Sequence, residues 1–127
     1  MAIVCGALRF LRLLLLFAPL AACLGSPAPD VALCRDVIHR LCHAPRCAVA
    51  DAAFAYGDSC EESLLTRSGC AAEDFTFAVP SRARVLECRL PLVRAGSEVD
   101  QKPSCDDVTE VIERCDDLVG FLNGGKP

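Results

Sequence analysis

Residues 104–124 read SCDDVTEVIERCDDLVGFLNG, and the spacing of their apolar side chains decides the fold class. Cys105, Val108, Ile112, Cys115, Val119 and Leu122 recur at steps of three and four, the period of a single helical face. Ser104 followed three residues later by Asp107 has the form of a capping box, with Asp in place of the usual Glu. Glu110 and Arg114 stand at i,i+4, a supporting ion-pair spacing, and Asn123-Gly124 supplies a stop. The stretch predicts one long amphipathic helix with two cysteines on its apolar seam, each placed to be stapled to a neighbour.

The same period runs upstream. After the Pro-rich residues Ser26, Pro27, Ala28 and Pro29, Asp30 reads as an N-cap, and Val31, Cys34, Ile38, Leu41 and Cys42 share one face. Pro45 suits the first turn of a second helix, with Cys47, Ala50 and Phe54 inward and Gly57 as its stop. Glu61 to Arg67 forms a short third helix ended by Gly69. Ala71 to Val79 is apolar, of ambiguous period, and interrupted by Pro80. Ser81 to Leu92 predicts a helix as far as Pro91, and Val93 to Pro103, with Gly96, reads as a loop. The expected fold is all-α, a small disulfide-stapled bundle of four or five helices.

The compartment follows from the leader and the cysteines. Arg9 and Arg12 precede an apolar run from Leu13 to Leu20, and small residues follow at Ala21, Ala22 and Gly25, the pattern of a signal peptide cut near Gly25-Ser26. That run is shorter than the roughly 20 apolar residues a membrane span needs. Leu20-Ala21-Ala22-Cys23 also has the look of a bacterial lipobox. Of ten cysteines, Cys5 and Cys23 fall in the leader. The other eight, Cys34, Cys42, Cys47, Cys60, Cys70, Cys88, Cys105 and Cys115, are an even set, as in oxidised extracellular scaffolds. The organisation expected is a signal peptide over 1–25, a Pro-rich lead-in over 26–33, one cysteine-rich helical domain over 34–122 and a short polar tail over 123–127. Residues 26–127 hold eleven Lys and Arg against seventeen Asp and Glu, a net charge of about −6, which argues against nucleic acid as a partner. Trp is absent and Tyr56 is the only tyrosine, so the core must be mainly Leu, Val, Ala and cystine.

Cysteine spacing brings a family into view. Cys34-x7-Cys42-x4-Cys47-x12-Cys60, with Cys70, Cys88 and a closing pair Cys105-x9-Cys115, resembles one repeat of the GDNF receptor-alpha and growth-arrest-specific-protein-one group. On that alignment Thr66 and Leu90 stand where the family has two further cysteines. If those two positions are partners in the family, their joint absence leaves four bridges. The resemblance implies a growth-factor-receptor-like binding module without catalysis, whose partner is an extracellular protein ligand or its receptor. Relatives are usually lipid-anchored, but the tail here ends Gly124-Gly125-Lys126-Pro127 without the hydrophobic stretch of a GPI signal, so no membrane anchor is expected. Asn123, the only asparagine, is not in a glycosylation sequon. A monomeric, secreted protein acting as co-receptor, decoy or ligand is the expectation.

Other helical cysteine scaffolds fit less well. The Cys-Cys pair of plant lipid-transfer proteins, the terminal Cys-x-x-Cys pairs of saposins and the His-Asp pair of secreted phospholipases are all missing. A helical carrier of a lipid or small apolar molecule stays open, with Phe75 to Val79 as a pocket lining, as does a secreted effector or toxin-like scaffold. No Gly-x-Ser-x-Gly occurs, and Asp58-Ser59 with a distant histidine is too common a combination to suggest an enzyme. No cofactor is expected. His39 and His43, four apart, have a metal-ligand spacing and lie near Cys42 and Cys47. Oxidised cysteines and two solvated histidines explain that group without a metal, and none is expected. Arg82, Arg84, Arg89 and Arg94 cluster in an acidic chain and are the candidate partner-binding residues, for acidic protein loops or sulfated glycans. Asp106, Asp107, Glu110, Asp116 and Asp117 read as the wet side of the last helix.

Overall fold

The computed structural model describes residues 28–54, 59–94 and 102–125. The leader, the Gly57 stop and most of the loop after Val93 lie outside these residues. Six helices make up the described part: α1 (Pro29–His43), α2 (Ala48–Phe54), α3 (Cys60–Ser68), α4 (Arg82–Val93), α5 (Cys105–Arg114) and α6 (Asp116–Leu122). No strand occurs among the described residues. The fold is the all-α, disulfide-stapled bundle expected.

Several boundaries differ from the sequence reading, each for a local reason. Helix α1 begins at Pro29, so residues 29–33 belong to the helical domain and not to a lead-in. Proline's fixed φ suits the first helical position, and Ala28 takes the N-cap. Asp30 lies inside the first turn. Its carboxylate accepts a hydrogen bond from the Phe77 N–H at 3.0 Å and faces Arg82 at 3.5 Å, a tertiary use instead of a cap. Pro45 ends α1 and does not open α2: Ala44 before it is extended, with ψ 152°, as pre-proline residues prefer, and α2 starts three residues later. Gly69, at φ 79°, closes α3 as expected.

Helix α4 runs through Pro91 to Val93. Pro91 cannot donate to the Glu87 carbonyl, but the loss falls in the last turn, and both Pro91 and Leu92 are buried there. The expected long C-terminal helix is broken at Cys115, which has φ −132° and ψ 54°. Cys115 closes α5 by donating to the Val111 carbonyl at 2.9 Å and opens α6 by accepting from Val119 at 3.0 Å. The Ser104–Asp107 capping box is present in both directions.

The helices form a closed circuit of neighbours, α1 to α4, α4 to α5, α5 to α2, α2 to α6, α6 to α3 and α3 back to α1. Phe54, Ile38, Leu64, Leu92, Leu118 and Leu122 fill its centre, and no charged side chain is buried among the described residues. Removing such a side chain, as in Leu64→Ala, costs about 2–5 kcal/mol in a core of this kind. Four bridges tie the circuit: Cys34–Cys70, Cys42–Cys60, Cys47–Cys105 and Cys88–Cys115.

Candidate functional site

Helix α4 turns Val85, Cys88 and Leu92 into the core. The opposite side of the helix leaves Leu86 and Leu90, one turn apart, 45% and 62% exposed. Beside Leu90 lies a hollow of about 240 Å³ between α4 and α5. Leu90, Pro91 and Arg94 line it from α4, and Glu110, Val111 and Arg114 from α5, with the Cys88–Cys115 bridge joining the two helices there. Because Pro91 has no N–H, the carbonyl of Glu87, another lining residue, lacks its usual helical donor.

The four arginines singled out in the sequence do not form one patch. Arg82 pairs with Asp30 at the start of α1. Arg84 ties α4 to the α5–α6 break: its Nε donates to Asp117 at 3.0 Å and its Nη2 to the Arg114 carbonyl at 2.7 Å. A continuous helix would have used that carbonyl internally. Burial works against ionised Asp117, but the Arg84 guanidinium and backbone N–H groups at the start of α6 together outweigh it and hold the carboxyl below its ordinary range. Arg89 donates to Asp36 of α1, which also accepts from Arg40 at 3.0 Å. Here too burial raises the carboxyl and the hydrogen bonds from Arg89 and Arg40 outweigh it, leaving it low. Arg84 and Arg89 are thus engaged in holding helices together.

Arg94 is different. It shares Glu110 with Arg114, at 2.9 Å and 2.7 Å, so two guanidiniums sit on one carboxylate. The hydrogen bonds from Arg114 and then Arg94 hold the Glu110 carboxyl low. Side chains of Arg94 and Arg114 are 61% and 73% exposed, and one positive charge of the trio is not balanced within it. Exposed leucines beside two exposed guanidiniums make the face around Leu86, Leu90, Arg94 and Arg114 the best candidate for a contact surface. Arg114 was seen in the sequence only as the helical partner of Glu110. Its place beside Arg94 depends on how α4 packs on α5, which spacing does not encode. The acidic stretch is not simply a wet face, since Asp107 caps α5 while Glu110 and Asp117 hold arginines.

Cys42 and Cys47 are bridged, to Cys60 and Cys105, and offer no thiolate beside the histidines. A third group does join them: Glu61, the residue after Cys60, approaches His39 Nδ1 at 2.9 Å and His43 Nδ1 at 3.7 Å. The Cys42–Cys60 bridge places it there, and the pairing of those cysteines would have been the signal. Phe75 and Phe77 pack edge to face, their centroids 4.9 Å apart, and both lie within 5.8 Å of Phe121. Asp58 lies outside the described residues. Neither models of known protein families, nor the curated proteins, nor the solved structures contain a match to this chain.

Proposed function

We propose that this chain is a secreted, cysteine-rich protein-binding module that engages an extracellular signalling protein or its receptor through the α4–α5 face. The observation that carries the reading is the pairing of exposed Leu86 and Leu90 with two arginines on a single carboxylate. Arginine is among the residues enriched at binding hot spots, and the exposed leucines add apolar area that a partner can bury. Two exposed guanidiniums that share one carboxylate suit a partner that presents a carboxylate beside an apolar side chain. Four bridges within a small chain support an oxidising, extracellular setting, and no described helix is long and apolar enough to cross a membrane. The leader pattern and the cysteine spacing of the GDNF receptor-alpha group point the same way, to binding and not catalysis.

The test is a panel of extracellular ectodomains and growth factors, screened against the oxidised protein and against a Leu90→Ser/Arg114→Glu variant. Binding of at least one of them, weakened tenfold or more in the variant, supports the reading. Binding indifferent to the variant, or none across the panel, refutes it. Retention on heparin that the variant abolishes, without any protein ligand, would assign the face to sulfated glycans instead. A carrier role, with Phe75 to Val79 lining the site, predicts a lipid or small apolar molecule retained on native purification and detected by mass spectrometry.

A further inference from the structure

We propose that His39, His43 and Glu61 form a surface site for one divalent transition-metal ion of the zinc type, with a coordination position left open to water or to a side chain of another molecule. The site is separate from the α4–α5 face and stands or falls independently of it.

The ligand set is chemically selective. Two imidazoles and one carboxylate with an open fourth position are a known three-ligand combination for zinc. Imidazole also accepts copper and nickel, whereas calcium and magnesium require oxygen donors. The spacing fits. Ligands about 2.0–2.2 Å from a tetrahedral ion lie roughly 3.3–3.5 Å from one another. His39 Nδ1 and His43 Nδ1 stand 2.9 Å and 3.7 Å from the same Glu61 oxygen, on either side of that separation. One potential ligand atom from each of the three residues lies within 4.8 Å of the other two.

The site is built on rigid elements. His39 and His43 are one turn apart at the end of α1, their rings 4.0 Å between centroids. Glu61 occupies the first turn of α3, where a carboxylate is favoured by the helix dipole. The Cys42–Cys60 bridge lies between the histidines in sequence on one side and immediately before Glu61 on the other, and it fixes the two helix ends against each other. The Glu61 oxygen takes a hydrogen bond from one imidazole, at 2.9 Å, while the second at 3.7 Å is too far for one. A cation at the centre satisfies all three groups. The other grouping of this kind among the described residues, Cys88, Cys115 and Asp117, is not comparable, because its sulfurs are consumed in a disulfide.

The test is calorimetric titration of the chelator-stripped, oxidised protein with zinc chloride, repeated on His39→Ala, His43→Ala and Glu61→Gln. Expected are one zinc per chain and a loss of affinity of roughly tenfold or more in each variant, with circular dichroism unchanged because all three side chains are solvent-accessible. Calcium chloride should neither bind there nor compete. Cobalt chloride added to the unmodified protein should perturb the His39 and His43 ring resonances before any others, a readout that depends on no variant. Absence of saturable zinc binding below about 1 mM, zinc binding untouched by either histidine variant, or cobalt effects elsewhere overturns the proposal.

Discussion

Asn123 shows how much one side chain can hold in a small bundle. Its Nδ2 donates to the Ala53 carbonyl at 2.9 Å, and its Oδ1 accepts from Arg67 Nη1 at 3.1 Å. The same Arg67 nitrogen donates to the Phe54 carbonyl at 3.0 Å. Carbonyls at a helix end have no partner within the helix, so two side chains from α3 and the end of α6 satisfy the last residues of α2. Asn123→Ala removes the side-chain donor of the Ala53 carbonyl and one acceptor of Arg67, and should cost about 1–3 kcal/mol, read from the urea midpoint. A value within about 0.3 kcal/mol of the parent protein would show that water replaces the amide freely. The next residue is fixed by geometry. Gly124 has φ 86°, and its N–H and that of Gly125 bond back to Phe121 and Gly120 in a Schellman ending. A Cβ at Gly124 would lie 3.3 Å from the Arg67 carbonyl oxygen, so Gly124→Ala adds crowding to left-handed strain and is expected to lower stability by about 1 kcal/mol or more.

At the level of elements, the break at Cys115 marks the limit of what period alone reveals. The seam through Val108, Cys115 and Leu122 was legible and is buried, but Val111 and Leu118 are buried too, while Ile112 and Val119 are only partly so. Helix α5 faces both α4 and α2, and α6 faces both α3 and α2, so the apolar side of each half is set by two neighbours and the halves need not share one line. One signal for the break is in the sequence: Asp116-Asp117, which favour a helix start over a helix interior. What the sequence could not show was Arg84, which reaches from α4 to the carbonyl released by the break and to Asp117. Arginines that read as a binding patch proved to be partly inter-helix ties, because charge clustering along a chain does not specify which carboxylates the fold brings near. If Arg84 holds the break, Arg84→Ala should speed amide hydrogen exchange through the first turn of α6 while α2 and α3 keep their protection. Unchanged exchange at Leu118 and Val119 would assign the break to the Cys88–Cys115 bridge alone.

At the scale of the whole molecule, the described residues form a ring of six helices closed by non-local ties, and the response to acid and to reduction follows from where those ties lie. Asp36, Glu110 and Asp117 are all held below their ordinary carboxyl values by arginines of other helices or of their own. A carboxyl that is low in the folded state and ordinary, near 4, in the unfolded chain contributes stability that is complete above about pH 5. That contribution disappears as pH falls through the depressed folded values. The denaturation midpoint should therefore be level from neutral pH to about 5 and fall below about 4, and Asp36→Asn should make that fall shallower while lowering stability at neutral pH. The bridges are expected to differ in weight. Cys47–Cys105 spans 58 residues and joins the start of α2 to the start of α5, whereas Cys42–Cys60 spans 18. Chain entropy alone assigns about 4 kcal/mol to the longer loop and about 3 kcal/mol to the shorter. Paired Cys→Ser replacements compared in guanidinium should thus show the Cys47–Cys105 variant weaker by about 1 kcal/mol. The reverse order would mean that the bridge between α1 and α3 stabilises the folded state directly, by holding His39, His43 and Glu61 in contact, beyond its effect on the unfolded chain.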